Sequence, residues 1–149
     1  MRLRERTEIE RPVARVWPYV IRPEYFQRWN PKISSMDARG EFRLGQPFTT
    51  HYRWRAKELQ CVSIATEIQD GRVLTLRHSS PVGPGIRRDM EILERVTLEE
   101  AGGRTIVTKV VDVEHHGVPW LLLPLIWFVS RFGRPVGPNP LKTMCEAER

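Results

Sequence analysis

The sequence predicts an α+β fold: an antiparallel sheet of about six or seven strands, two short helices after the first strand, and a helix near the C-terminus. Three observations predict it. Segments of strict apolar–polar alternation follow one another from residue 36 to residue 114. Only turn signals separate those segments, and no helical pattern lies between them, which argues against a parallel sheet. Helical spacing is confined to residues 12–30 and to the stretch that begins at Pro119.

Each element has its own warrant. Residues 2–10 alternate, with Leu3, Glu5, Thr7 and Ile9 on one face and Arg4, Arg6, Glu8 and Glu10 on the other, as in a half-buried strand. Pro12 suits the first turn of a helix, where its missing N–H costs nothing, and Val13, Val16, Trp17 and Val20 follow at helical spacing. Pro18 removes a backbone bond from that helix, so a short or kinked one is expected. Pro23 to Trp29 reads as a second short helix ended by Asn30-Pro31. Trp17 and Trp29 are expected in the core.

The clearest strand is 47–57. Phe48, Thr50, Tyr52, Trp54 and Ala56 share the face that must point inward; Thr49, His51, Arg53, Arg55 and Lys57 share the outer one. Strands are also expected over 60–68, closed by Asp70-Gly71, over 72–79, and over 86–98 after a Ser80–Gly85 loop. Ala101-Gly102-Gly103 is a hairpin turn leading into a last strand, 104–114. Beyond Pro119, Trp120 to Val129 is apolar on every side; Gly133 to Pro140 breaks the helical pattern; Leu141 to Glu148 forms a final short helix.

Composition narrows the function classes. The 149 residues suit one domain, with 40% apolar and 28% charged side chains, as in soluble globular proteins. No signal-peptide pattern opens the chain, and the apolar run Val118–Val129 is too short for a span of about twenty residues. Two cysteines, Cys61 and Cys145, stand in no metal-ligand spacing and read as reduced thiols, so a cytoplasmic location is expected. The net charge of +6 is uneven, with 13 basic against 6 acidic side chains in residues 1–57. The charges are scattered singly, without basic runs or aromatic interleaving; this reads as a solvated face and not as a nucleic-acid site.

The order of elements, together with several local motifs, resembles the START-like (SRPBCC) superfamily, most closely its polyketide cyclase/dehydratase and lipid-transport families. The motifs are Ile9-Glu10-Arg11-Pro12-Val13-Ala14-Arg15-Val16-Trp17, Tyr25-Phe26-Gln27-Arg28-Trp29-Asn30-Pro31, Ala65-Thr66-Glu67-Ile68, Gly103-Arg104-Thr105, and Leu141-Lys142 with Glu146. Pro18 and the Gly/Pro-rich stretch 133–140 depart from the family pattern. The resemblance implies a helix-grip fold, in which the sheet curls around the C-terminal helix and leaves an internal cavity. It also implies a small hydrophobic or aromatic ligand, lipid or polyketide-like, with carriers and cyclase-type enzymes both among the relatives.

The residues leave three functions open: binding, catalysis, and a membrane-surface or protein-interaction module acting through the apolar helix 119–129. Nucleotide-binding, hydrolase, zinc-protease and dithiol motifs are absent, and no cofactor is expected. Asp112, Glu114 and His116 share a strand face, with His115 beside them, but read as a solvated strand end, so no metal site is expected. Strand parity carries His78 inward with Leu74 and Leu76, and Arg88 inward with Met90 and Ile92. The expected pocket is therefore lined by Tyr52, Trp54, Leu76, His78, Arg88 and Met90. A buried Arg88 demands a partner: Glu94, Asp89, a ligand carboxylate or phenolate, or solvent if the strand bulges. His78 and Arg88 are the candidate acid/base and oxyanion groups, and Arg88 favours a ligand with a carboxylate, phenol or carbonyl head. A helix over 119–129 with no polar face is expected to be covered, by a second copy of the chain in preference to a lipid surface.

Overall fold

The computed structural model describes residues 2–54, 57–115, 120–122, 124–125 and 139–147. Its centre is a curled, seven-stranded antiparallel half-barrel. The strands are β1 (Arg2–Ile9), β2 (Ile33–Met36), β3 (Phe48–Trp54), β4 (Lys57–Gln69), β5 (Val73–Val82), β6 (Glu91–Ala101) and β7 (Arg104–Glu114). Their order in the sheet is β1-β7-β6-β5-β4-β3-β2, so consecutive strands from β2 to β7 are neighbours and β1 closes on the last. Helices α1 (Val13–Ile21) and α2 (Pro23–Trp29) follow β1, and α3 (Pro140–Ala147) packs against β1, α1 and α2. A 3-10 turn spans Trp120–Leu122.

Local chemistry sets the junctions. Pro12 precedes α1 in extended geometry, and α1 runs nine residues straight through Pro18. Arg22 is extended, as a residue before proline should be, and Pro23 opens α2 at a position that needs no N–H. Gly102 and Gly103 both take positive φ, which a two-residue hairpin turn between Ala101 and Arg104 requires. Asn139 caps α3: its Oδ1 accepts from the backbone N–H of Leu141 at 3.0 Å, and its Nδ2 donates to Thr7 Oγ1 of β1.

Three segments differ from the sequence expectation. The expected strand 86–98 begins only at Glu91, because residues 83–90 form turns: Gly85 takes φ +69°, and Met90 N–H bonds Arg87 C=O at 3.2 Å. Conversely, β5 runs on through Ser80, Pro81 and Val82, with Ser80 at φ +51° and a register shift against β4. That bulge absorbs residues expected to form a loop. The strand Ile33–Met36 is shorter and earlier than the alternation from residue 36 suggested. Of the expected helix over 119–129, only residues 120–122, in the 3-10 turn, and 124–125 are described; the rest of it, and the break at 133–140 up to residue 138, lie outside the described residues. Leu121, Leu122 and Leu125, which are described, are exposed.

The core joins the inner face of the sheet to α1 and α2. Val16, Val20, Phe26, Leu74, Leu76, Ile92 and Val113 are fully buried or nearly so. Trp17 and Trp29 are buried as expected, and the Trp29 indole donates to Tyr19 C=O at 2.8 Å while packing edge-on to Phe26. Trp29→Ala removes a large buried ring and its hydrogen bond to Tyr19, so it should lower the unfolding free energy by about 3–5 kcal/mol in denaturant titration. A loss below about 1 kcal/mol would mean that the surrounding residues collapse into the space.

Candidate functional site

The inner face carries a diagonal line of polar side chains across five consecutive strands. Thr50 stands on β3, Ser63 on β4, His78 on β5, Glu94 on β6 and Lys109 on β7. The register explains the line. Ser63 and His78 are direct partners; Glu94 lies opposite Leu76 and Val111; Lys109 lies opposite Val96. Glu94 is thus diagonal to His78 on one side and to Lys109 on the other, a spacing within reach of long side chains. Alternation puts all five on the face that also carries Leu74, Leu76, Ile92 and Val96.

The contacts form one connected set. Ser63 Oγ hydrogen-bonds Thr50 Oγ1 at 2.8 Å and His78 Nδ1 at 2.6 Å. His78 Nε2 faces Glu94 Oε1 at 3.2 Å, an electrostatic contact without the alignment of a directed hydrogen bond. Asn30, at the end of α2, donates from Nδ2 to Glu94 Oε2 at 2.9 Å, and Lys109 Nζ lies 3.9 Å from the same oxygen. The Lys109 ammonium also sits 5.5 Å above the Trp29 ring centroid. Tyr52 stacks obliquely on His78, with ring centroids 5.5 Å apart. Thr50, Ser63, His78, Glu94 and Asn30 are all fully buried.

Burial is the largest influence on Glu94 and pushes its carboxyl pKa up, but Lys109, His78 and Asn30 together outweigh it. The net direction is below the ordinary carboxylate range, so Glu94 is an anion held inside the protein. Tyr52 shifts well upward: burial comes first, then the Glu94 charge and the hydrogen bond to it. The Tyr52 phenol therefore stays protonated.

The structure brings together four of the expected site residues. Tyr52, Leu76, His78 and Met90 are buried. Trp54 ends β3, but its side chain lies outside the description, as does Ala56. Arg88 is the correction: it is exposed, because the turn at 87–90 breaks the parity that was to carry it inward with Met90. Its neighbour Arg87 pairs with Asp89 in solvent. Arg88 thus supplies neither an oxyanion group nor an acidic-ligand anchor on the inner face. Among the strand-end acids, Asp112 pairs with Arg2, and His116 lies outside the described residues.

Ser63, Lys109 and Asn30 were not singled out from the sequence as site residues; Thr50 was placed only on an inward strand face, and Glu94 was named only as a possible partner of Arg88. Glu94 left a signal, since it shares parity with Ile92, Val96 and Leu98, and an acid on an apolar face demands buried partners. Cys61 and Cys145 are both buried, and burial pushes the Cys61 thiol up to about 11.

The described residues also form two surface clefts. One, of about 340 Å³, lies in the β2–β3 connection and is floored by Phe42 and Phe48. Phe42 also meets Phe26 edge-on, and Phe26 meets Trp29, so aromatic contacts run from that cleft to the neighbour of Asn30. The other cleft, about 360 Å³, is lined by Val13, Gly71, Arg72, Leu98, Glu99 and Glu100, away from the polar line.

The model of the family described as Activator of Hsp90 ATPase homolog 1-like protein matches residues 10–119. Among curated proteins no sequence matches. Solved structures share the fold at low identity. A START superfamily protein from Mycobacterium smegmatis superposes with a TM-score of 0.68 at 13% identity, covering 99% of both chains. A conserved protein from Geobacillus kaustophilus gives 0.68 at 11% identity, covering 99% of this chain and 96% of that one. A protein of the dynemicin biosynthetic locus gives 0.62 at 17% identity, covering 99% of this chain and 48% of its own.

Removing the buried anion has a defined pH signature. A carboxyl whose folded pKa lies below its unfolded value of about 4.3 stabilises the fold above that pH, and this contribution is lost as pH falls through the folded pKa. Glu94→Gln should therefore flatten the acid limb of the stability curve below about pH 4. At neutral pH it should lower stability by about 3 kcal/mol, because Lys109 and His78 lose their partner. Denaturant midpoints measured across the acid range check both; an acid limb as steep in the variant as in the wild type would contradict the assignment.

Proposed function

Since the chain belongs to the Activator of Hsp90 ATPase homolog 1-like family and has the START-like fold, we propose that it binds a small hydrophobic or aromatic molecule, lipid or polyketide-like, in an internal cavity against the inner face of the sheet. One observation carries this reading: a compact polar cluster converges at His78 and Glu94 within a wall made by Leu76, Met90, Ile92 and Tyr52. Small-molecule sites combine apolar walls with a few placed polar groups in this way. The cleft at Phe42 and Phe48, with its aromatic contacts toward Trp29, gives the ligand a route inward. Entry parts the β2–β3 connection and α2 from the sheet, since the cluster is fully buried as it stands.

A second reading, a cyclase/dehydratase-type enzyme, is favoured by the connected Ser63–His78–Glu94 set. An imidazole between a hydroxyl and a carboxylate is equipped for general acid/base work.

Native mass spectrometry of the purified protein tests the binding reading, together with fluorescence titration by the neutral probe N-phenyl-1-naphthylamine. A retained apolar mass at one per chain, or saturable probe binding that the retained molecule competes away, is expected. A chain that carries nothing and gives no saturable signal would overturn the reading.

A further inference from the structure

We propose that the surface cleft of the β2–β3 connection is a binding site for an aromatic carboxylate, with the ring against Phe42 and Phe48 and the acid group on Arg39 and Arg43. None of its lining residues belongs to the buried polar cluster, so the site is independent of the internal cavity. Three observations carry the inference: a hollow of suitable size, an aromatic floor, and charge without partners at the rim.

The hollow measures about 340 Å³, within the range of small-molecule sites. Its walls are held in place from three sides. Asp37 N–H donates to Thr49 C=O at 3.1 Å, Phe42 N–H to Ile21 C=O at 2.9 Å, and Gly45 N–H to Ala65 C=O at 2.9 Å. Gly40 and Gly45 take φ of +77° and +73°, which lets the short connection double back between these anchors. The cleft therefore exists before a ligand arrives, and little ordering entropy is lost on binding.

The floor suits a ring. Phe42 is only 4% exposed and meets Phe26 edge-on, while half-buried Phe48 lies 5.5 Å from it between centroids, tilted by 40°. A flat aromatic body packs on such a pair with ring–ring contacts that an alkyl chain lacks.

The rim selects the charge. Arg39 and Arg43 line the cleft, are exposed, and pair with no described residue. Of the two acids beside them, Asp37 turns Oδ1 to the Thr49 N–H at 2.6 Å, and Glu41 pairs with no described residue. Two guanidinium groups against that one unengaged carboxylate leave a surplus of forked donors, the geometry that matches a carboxylate. An aromatic amine would meet the same surplus as repulsion.

Isothermal titration at low salt with 2-naphthoate and 2-naphthol tests this, since the two share a ring system and differ in charge. Wild-type protein should bind 2-naphthoate about tenfold more tightly than 2-naphthol, and the margin should shrink in about 0.5 M NaCl. The double variant Arg39→Gln/Arg43→Gln changes only exposed side chains and should keep its circular dichroism spectrum. It should lose the tenfold margin by weakening 2-naphthoate alone. Arg4→Gln/Arg6→Gln removes equal charge from the exposed positions of β1 and should leave both affinities unchanged. No saturable binding of 2-naphthoate, a wild type that prefers 2-naphthol, an undiminished margin in Arg39→Gln/Arg43→Gln, or equal weakening by both double variants would overturn the inference. Each of those outcomes leaves the internal-cavity reading standing, because a neutral probe makes no use of these arginines.

Discussion

The buried carboxylate of Glu94 is the constraint around which the inner face is arranged. A charge at full burial survives only if opposite charge and directed hydrogen bonds replace the water it has lost. Lys109, Asn30 and His78 supply that replacement from β7, from the end of α2 and from β5. Each partner is held in turn: Lys109 by the Trp29 ring, Asn30 by the helix that ends at it, and His78 by Ser63 and Thr50. The anion therefore ties the register of five strands to the position of α2. A slip of one residue in any of those strands would send its polar group to the opposite face.

Much of the architecture was legible because period-two alternation is a strong signal where one face is buried. The strand 104–114, the Gly102-Gly103 turn and the helix Pro23–Trp29 appear in the structure as the sequence expected them. Apart from the early, short strand Ile33–Met36, the failures cluster at one place. Between Ser80 and Met90 the apolar–polar pattern continues while the backbone does not: a bulge at Ser80 extends one strand and turns at 83–90 delay the next. Periodicity reports which side chains are apolar, but it is blind to a left-handed residue or a turn that resets the parity.

The candidate site was legible in the same partial way. His78 kept its place because it follows Leu74 and Leu76 within an unbroken stretch of β5, whereas Arg88 lost its place because a turn intervenes before Glu91. The partners of His78 were hidden for a different reason. Thr50, Ser63 and Lys109 are each unremarkable in their own strands, and only the sheet register sets them on one diagonal with Glu94. Asn30 is further removed still, as it reads from sequence simply as the end of a helix. Its role as a donor to Glu94 arises from the tertiary docking of α2.

The pairing of β1 with β7 bears on how the chain reaches this state in time. Arg2 lies opposite Asp112 and Ile9 opposite Thr105, so the first strand made during synthesis finds its partner only after nearly the whole sheet has been translated. Every other neighbouring pair of strands is consecutive in the chain and closes locally. Long-range closures are slow, because the entropy of a large loop is lost before its contacts repay it. The pairings from β2 to β7 are thus the local ones, and the pairing of β1 with β7 is the long-range closure that completes the sheet. Until then, β7 presents an open edge to its surroundings, and the nascent protein is at its most vulnerable to mispairing.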